Sequence, residues 1–249
     1  MIIDLHIVNI QRQEVLEGVK DPGCFSDFRR DKILSKKIYS SKCLSAAAGI
    51  ALDKGLRQFG LREKEVRFIA DEHGKPCIDG HPEIIFNLSH SGEYAVAAFL
   101  SGIKQVTASV GSESSKSSDM IGVALNSKNE SETKEITIDK PRYDIGADIE
   151  QISRVNHRIA AFMKNDVGFT YCSSTDAEMK NLCRRWTARE AFWKCIGTGI
   201  SSVHEDFYLE KTESGNLKLC QNIYDGEFTV FEPEAPEGYC ITYVVRRHG

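Results

Sequence analysis

The stretch DIGADIE, residues 144–150, organises the C-terminal half of the chain. Side chains alternate between the two faces of a strand, so the apolar residues at the odd positions are expected to face a core. Asp148 and Glu150 then share the opposite face, about 6.6 Å apart along the strand. Two such carboxylates repel each other, and a divalent cation removes that repulsion. The stretch predicts a strand with a candidate Mg²⁺ site, and an exposed acidic strand face is the alternative.

A second informative stretch is RRWTAREAFWK, residues 184–194, which fits a helix. Glu190 and Lys194 lie one turn apart on the same side of that helix. Glu190 can supply a third carboxylate to a metal, and Lys194 can supply a fixed positive charge for a phosphate. The alternative is an ordinary helical Glu–Lys pair. The aromatic residues of the stretch are expected to lie in a core or between lobes, namely Trp186, Phe192 and Trp193.

The third stretch, FNLSHSGEYAVAAF at residues 86–99, places small polar residues in a predicted turn between two apolar strands. Ser89, His90 and Ser91 can bind a phosphate through hydroxyl, imidazole and backbone N–H groups. A surface histidine is the alternative. A Ser–His nucleophilic pair is disfavoured, because adjacent residues of an extended backbone point apart and no acid follows at a suitable spacing.

Two basic features precede this stretch. Residues 28–42, FRRDKILSKKIYSSK, contain six lysines and arginines against Asp31, and Lys75 lies in a predicted turn HGKP at residues 73–76. The basic segment is either a solvated helix or a patch that holds an anionic ligand.

The order of elements predicts the fold class. Each half of the chain combines helix with short antiparallel strands, which indicates an α+β fold of two similar lobes related by a pseudo-twofold axis. We expect an N-terminal lobe over residues 1–100 and a C-terminal lobe over residues 144–249. Residues 101–143 are rich in serine and poor in aromatic residues, so they are expected to form a flexible insertion. The predicted helices span residues 44–59, 154–164 and 176–196, and the predicted strands include residues 1–10, 66–69, 84–88, 94–100 and 145–149.

Composition excludes several classes of protein. The chain of 249 residues is 41% hydrophobic and has a formal net charge of -4, which argues against a general nucleic-acid binder. No apolar run is long enough to span a membrane. The N-terminus fits a first strand and not a signal peptide. The eight cysteines form no CxxC pair, so free thiols in a reducing cytoplasm are expected.

Four motifs follow one another along the chain: GKP at residues 74–76, FNLSHS at 86–91, GADIE at 146–150 and WTAREAFWK at 186–194. In this order they resemble the motifs GKP, FNxSHS, GxDxE and WxxKEAxxK of the 4′-phosphopantetheinyl transferases of the surfactin (Sfp) type. The resemblance covers roughly residues 20–210. Their order along the chain makes the match specific.

The resemblance implies an activity of the holo-acyl-carrier-protein synthase type. A serine of an apo acyl or peptidyl carrier protein attacks the β-phosphorus of coenzyme A, and adenosine 3′,5′-bisphosphate leaves. The resemblance further implies that Asp148, Glu150 and Glu190 hold Mg²⁺ while Lys194 contacts the phosphates. Glu190 is the candidate base, directly or through water, and Asp166 is a second candidate.

The resemblance also implies a set of cofactor contacts. Lys75 and His90 would hold the nucleotide and its 3′-phosphate, and Lys42 lies near a family position that touches the same nucleotide. Arg189 replaces the usual lysine of the WxxKE motif and keeps its positive charge. The implied cofactor-binding set is Lys42, Lys75, Ser89, His90, Arg189 and Lys194.

The family fold agrees with the expected architecture, and the length favours a two-lobed monomer with its active site between the lobes. A partly basic, partly apolar surface near that cleft would receive an acidic carrier. Two other functions remain open. One is a different Mg²⁺-dependent phosphotransferase or phosphohydrolase, and the other is a non-catalytic protein that binds coenzyme A or a carrier.

Overall fold

The structure is a computed structural model that describes residues 2–71, 74–101, 143–170, 175–199 and 207–249. The predicted insertion at residues 101–143 lies outside the described residues apart from its two ends. The described residues on both sides of it belong to one compact unit. The division of the chain at residues 100 and 144 therefore stays a prediction.

The first half of the chain forms a three-stranded antiparallel sheet covered by a long helix. The sheet has the order β1-β5-β4, and α3 packs against all three of its strands. A separate hairpin pairs β2 with β3. The elements are β1 (Ile2–Asn9), α1 (Gln13–Lys20), α2 (Asp27–Ser35), α3 (Tyr39–Leu56), β2 (Phe68–Ala70), β3 (Pro76–Ile78), β4 (Ile85–Ser91) and β5 (Tyr94–Ser101).

The second half repeats this topology. Its antiparallel sheet has the order β6-β10-β9, α5 packs on β6 and β10, and a hairpin pairs β7 with β8. The elements are β6 (Tyr143–Gln151), α4 (His157–Ala160), α5 (Asp176–Ile196), β7 (Phe207–Lys211), β8 (Leu217–Gln221), β9 (Glu227–Phe231) and β10 (Tyr239–Arg247). Each half thus has its first strand beside its last strand, and the predicted α+β fold of two similar lobes is confirmed.

The helix α5 has the bounds that the sequence predicts. The Thr175 hydroxyl accepts from the backbone N–H of Glu178, whose carboxylate accepts from the backbone N–H of Thr175 in return. This capping box satisfies two donors that the first turn of a helix leaves free. Gly197 ends the helix in the left-handed conformation with φ 81°, which glycine adopts without steric cost.

Two local predictions differ from the structure, and one helix was not predicted. The turn predicted around His90 is narrower, because β4 pairs with β5 as far as Ser91 and only residues 92–93 form the turn. The helix predicted for residues 154–164 is replaced by α4 and short 3₁₀ turns. The helix α1 was not predicted at all, although Val15 in it is fully buried. Short amphipathic segments give too few residues for a periodic pattern to be recognised.

The described residues also bear on membrane association and on cysteine chemistry. Within them, no helix combines the length and the apolar character needed to cross a bilayer. The described cysteines are free thiols, and four of them are buried, namely Cys43, Cys183, Cys195 and Cys240.

The two sheets meet through apolar side chains of β5 and β6. The odd-numbered residues of β6 face this contact, as the alternation of DIGADIE predicts. The buried clusters contain Val96, Ala98 and Leu100 from β5 and Ile145, Ala147 and Ile149 from β6. Each of these six side chains is at most 2% exposed, so the contact between the lobes is a dry core.

The opposite face of β6 turns towards α5 at Gly146. A Cβ at this position would lie 1.9 Å from the carbonyl oxygen of Ala191 and 2.3 Å from the backbone nitrogen of Cys195. Both atoms belong to the backbone of α5, so no side-chain rotation can relieve the overlap. The helix therefore approaches β6 this closely because residue 146 has no side chain.

We predict that Gly146→Ala destabilises the protein. The helix α5 must move away from β6 to accommodate the methyl group, and overpacking of this kind costs about 1–3 kcal/mol. Urea unfolding followed by circular dichroism measures the loss. Gly249→Ala is the matched control, because a Cβ there meets no atom within 4 Å. Equal stability of the two variants would contradict the proposed close packing.

Candidate active site

Four charged side chains meet where β6 faces α5. Asp148 and Glu150 come from the strand, and Glu190 and Lys194 come from the helix. The ammonium Nζ of Lys194 lies 2.6 Å from Oδ1 of Asp148 and 3.8 Å from Oε2 of Glu190. The helix acid Glu190 and the strand acid Asp148 are therefore brought to the same ammonium group, and Glu150 lies two positions further along the same face of β6.

Asp148 is held by one of its two carboxylate oxygens. Oδ1 accepts from the hydroxyl of Ser89 at 2.7 Å and from Nζ of Lys194 at 2.6 Å. Oδ2 is buried and accepts no hydrogen bond from any described residue. A buried carboxylate oxygen without a donor is costly, so this atom fits a position that a cation fills.

Glu150 is held in a similar way. Its Oε1 accepts from the hydroxyl of Ser91 and, at 2.8 Å, from the backbone N–H of Gln151. Arg154 lies 3.8 Å from the same oxygen. All of these contacts, within the described part of the chain, go to Oε1 and none goes to Oε2. A second carboxylate thus keeps one oxygen available.

The pKa of Glu190 is raised by its burial and by the neighbouring carboxylates. Burial raises the pKa of Glu190 to about 7, the charges of Asp148 and Glu150 contribute to the rise, and Lys194 opposes it. A divalent cation favours the ionised form of such a carboxylate and so offsets this cost. Among the described residues, no three acidic, histidine or cysteine side chains form a preassembled metal cluster. Ligation of Mg²⁺ by Asp148, Glu150 and Glu190 stays a prediction.

The serines of β4 occupy a place that the sequence did not predict. Ser89 donates to Asp148 and accepts from Lys194 at 3.0 Å, and Ser91 donates to Glu150. On the same face of β4, Oδ1 of Asn87 accepts from the backbone N–H of Ala147 at 2.9 Å. The spacing of Asn87, Ser89 and Ser91 at every second position was the available signal, because it puts three polar side chains on one strand face. Phosphate binding by Ser89 stays a prediction.

His90 points to the opposite side of β4, towards the basic segment. Part of the residue is exposed, yet burial by the surrounding protein lowers the pKa of His90. The positive charges of Lys194, Lys36 and Arg29 lower it further. The structure thus gathers positive charge around an imidazole beside the acidic site, which is an arrangement suited to an anion.

The other two predicted cofactor lysines lie apart from this group. The ammonium of Lys75 donates to the backbone carbonyl of Ile145 at 2.9 Å and so links the β2–β3 hairpin to β6. Lys42 is half-buried in the first turns of α3. No contact joins Lys42 to the carboxylates in the described part of the chain, and its cofactor contact stays a prediction.

The prediction that Arg189 contacts the cofactor is wrong. Its side chain is 0% exposed and is paired with Asp166, and its guanidinium stacks over the Phe207 ring at 4.6 Å. Arg185 donates to the other oxygen of Asp166 at 2.9 Å. The guanidinium of Arg189 therefore cannot reach a ligand in the cleft.

The same contacts remove Asp166 from the candidates for the general base. Its oxygens are held by two arginines, and the backbone N–H of Leu209 donates to Oδ1 at 2.8 Å. A base must have a free oxygen within reach of the proton that it accepts. Asp166 is instead the centre of a buried ion-pair cluster in the second lobe.

Comparisons with known proteins agree with the motifs. Residues 144–244 match the sequence model of the 4′-phosphopantetheinyl transferase superfamily. The 4′-phosphopantetheinyl transferase gsp of Aneurinibacillus migulanus is 23% identical over 186 residues, which cover 74% of this chain and 60% of that protein. The corresponding enzyme ffp of Bacillus subtilis is 27% identical over 164 residues, which cover 65% of this chain and 55% of that protein.

Two further matches complete this picture. The 4′-phosphopantetheinyl transferase Sfp of Bacillus subtilis (strain 168) is 24% identical over 165 residues, which cover 66% of this chain and 55% of that protein. The chain thus spans 55–60% of the length of these curated relatives. A crystal structure of a holo-(acyl-carrier-protein) synthase from Bacillus anthracis in complex with CoA (3′,5′-ADP) is 19% identical, with a TM-score of 0.37 over 42% of this chain and 96% of that chain.

That TM-score is too low to support an argument about this chain, so the superfamily match and the curated relatives decide the matter. The superfamily model matches this chain across the acidic strand and the acidic helix, where Asp148, Glu150 and Glu190 lie. The resemblance to Sfp-type enzymes is thereby confirmed, and residues 144–244 are similar to the 4′-phosphopantetheinyl transferase superfamily.

Proposed function

We propose that the protein transfers 4′-phosphopantetheine from coenzyme A to a serine of an apo carrier protein in a Mg²⁺-dependent reaction. Adenosine 3′,5′-bisphosphate is the second product. The observation that carries this proposal is the contact of Lys194 with both Asp148 and Glu190, where Oδ2 of Asp148 has no donor among the described residues. The charge of Glu150 acts on Glu190 from the same strand face as Asp148.

The acidic site fits the cation that this reaction needs. Asp148, Glu150 and Glu190 offer hard oxygen ligands of the kind that Mg²⁺ prefers. A bound Mg²⁺ supplies positive charge that stabilises the negative charge gathered on the diphosphate during transfer. Lys194 supplies a second positive charge to the same region, where it contacts the phosphates and stabilises the leaving oxygen.

Glu190 is the candidate for the proton acceptor. The carrier serine must lose its proton as its oxygen bonds to the β-phosphorus and the bond from that phosphorus to the leaving phosphate breaks. A carboxylate that lies within reach of the serine hydroxyl can accept its proton, and burial raises the pKa of Glu190 to about 7 in the metal-free protein. Glu190 takes it directly or through a water molecule, and Asp166 is excluded by its two arginine partners.

The nucleotide of coenzyme A is proposed to lie over the basic side of β4. The positive charges of Lys36 and Arg29 act on His90 there, and positive charge of this kind favours a phosphate. Lys75 holds the edge of the same cleft through its bond to Ile145. This arrangement puts the diphosphate between the basic segment and the acidic site.

The carrier, the oligomeric state and the compartment are part of the same proposal. The enzyme is proposed to act as a monomer on an acyl or peptidyl carrier, which includes activity of the holo-acyl-carrier-protein synthase type. The cytoplasm is the proposed compartment, because it keeps free thiols reduced. The choice among carriers of fatty-acid, polyketide and nonribosomal peptide synthesis is left to experiment.

Incubation with coenzyme A, Mg²⁺ and several apo carrier proteins tests the proposal. We expect the intact mass of at least one carrier to rise by a single phosphopantetheine group, with stoichiometric release of adenosine 3′,5′-bisphosphate. Release of the nucleotide without modification of any carrier would favour a phosphohydrolase instead. Unchanged carrier and unchanged coenzyme A would refute the proposed transfer.

Glu190→Gln is predicted to lower kcat by about 10²-fold or more, because it removes a metal ligand and a proton acceptor from the site. The intact-mass assay measures the rate, and circular dichroism checks that the fold is kept. Glu213→Gln is the control, since Glu213 is an exposed acid in the β7–β8 turn. Undiminished transfer by the Glu190 variant would remove this residue from the mechanism.

We also predict that coenzyme A raises the pKa of His90. In the ligand-free protein burial and three positive charges lower this pKa, and a phosphate placed beside the ring favours the imidazolium form. A pH titration of the His90 ring resonances by NMR measures the change. Coenzyme A should raise the pKa more than 3′-dephospho-coenzyme A does, and equal values with and without either ligand would contradict nucleotide binding at His90.

A further inference from the structure

The contacts of the two strand carboxylates follow one pattern. Ser89 binds Oδ1 of Asp148 and leaves Oδ2 without a donor among the described residues. Ser91 binds Oε1 of Glu150, and the other contacts to that carboxylate in the described residues also go to Oε1. Each serine of β4 therefore holds one oxygen of an acid that belongs to the opposite lobe.

We propose that Ser89 and Ser91 are positioning residues for the cation site. Each hydroxyl fixes the rotation of a carboxylate so that its second oxygen is presented to the cation. Hydrogen bonds from neighbouring groups to the ligands of a metal orient those ligands and tune the affinity for the metal. The N-terminal lobe thus builds a site whose acids all come from the C-terminal lobe.

Strand β4 is well placed for this task. Its register with β5 pairs Ser89 with Val96 and Ser91 with Tyr94, and Val96 is fully buried. Asn87 fixes the position of β4 against β6 through the backbone N–H of Ala147, at 2.9 Å. The two hydroxyls are therefore carried by a paired strand and not by a loop. Ser89 is 8% exposed and Ser91 is 5% exposed.

Ser91 provides the cleaner test of the two, because Ser89 also contacts Lys194. Loss of the Ser91 hydroxyl leaves Glu150 with the backbone N–H of Gln151 and the more distant Arg154 as its partners in the described residues. The carboxylate then has greater rotational freedom, and ordering it must be offset by the binding energy of the cation. We expect a loss of metal affinity with the fold retained.

The experiment measures the binding of Mn²⁺ to the full chain, by titration of the free Mn²⁺ signal in electron paramagnetic resonance. Removal of a group that orients a metal ligand typically weakens binding by about 10–100-fold. Ser91→Ala is expected to fall in that range relative to the unsubstituted protein. Undiminished affinity of this variant, or no Mn²⁺ binding by the unsubstituted protein, would overturn the proposal.

Ser26→Ala is the matched control. Ser26 is buried, caps α2 and donates to Glu63 at 2.7 Å, so its loss destabilises the same lobe without touching β4 or the acids. Its Mn²⁺ affinity should equal that of the unsubstituted protein. If it loses affinity as much as Ser91→Ala does, the effect is one of general stability and the positioning role is refuted.

The inference rests on the proposed function for its meaning, but the Mn²⁺ titration needs neither coenzyme A nor a carrier. A protein whose Mn²⁺ affinity depends on Ser91 but that transfers nothing would refute the proposed function alone. Where transfer occurs, the Mg²⁺ concentration for half-maximal rate should rise in Ser91→Ala while saturating Mg²⁺ restores most of kcat. A loss of kcat that saturating Mg²⁺ does not relieve would contradict the positioning role.

Discussion

The close approach of α5 to β6 is the constraint on which the site depends. Gly146 permits it, because any side chain there would enter the helix backbone at Ala191 and Cys195. The residues just before these two contact points are Glu190 and Lys194. The distance at which the helix packs therefore also sets the distance at which its acid and its ammonium meet Asp148, which lies two positions along the same strand face.

The site is completed by a strand from the other lobe. The acids of β6 alone would be two like charges with freely rotating carboxylates, which repel each other. The polar face of β4 supplies hydroxyl donors to both acids and, through Asn87, an acceptor for the β6 backbone. Apolar clusters of β5 and β6 pack the same two sheets together on the other face of β6. The geometry of the acids is therefore linked to the packing of the lobe interface. A chemical site between lobes is thus held by both a dry core and a line of hydrogen bonds.

The sequence predicts those elements whose bounds are set by residues close to one another in the chain. The capping box at Thr175 and the glycine at position 197 fix the ends of α5, and strand alternation correctly separates the core face of DIGADIE from its acidic face. The helix predicted for residues 154–164 is only partly formed: α4 covers residues 157–160 and continues into a 3₁₀ turn over residues 161–163. The roles of Ser89 and Ser91 could not be read from one strand, because their partners are 59 positions away. Arg189 shows the same difficulty, since a cation on a helix beside a candidate metal ligand suggests a cofactor contact until the burial of the cation is known.

Arg189 and Asp166 form a buried ion pair in the second lobe. Arg185 binds the other oxygen of Asp166, which a fixed carboxylate can support because guanidinium groups pair with carboxylates in defined planar geometry. Removing one partner of such a pair would leave a buried charge uncompensated. Since Arg189 directly precedes Glu190 in α5, the buried pair helps to hold the helix turn that carries Glu190.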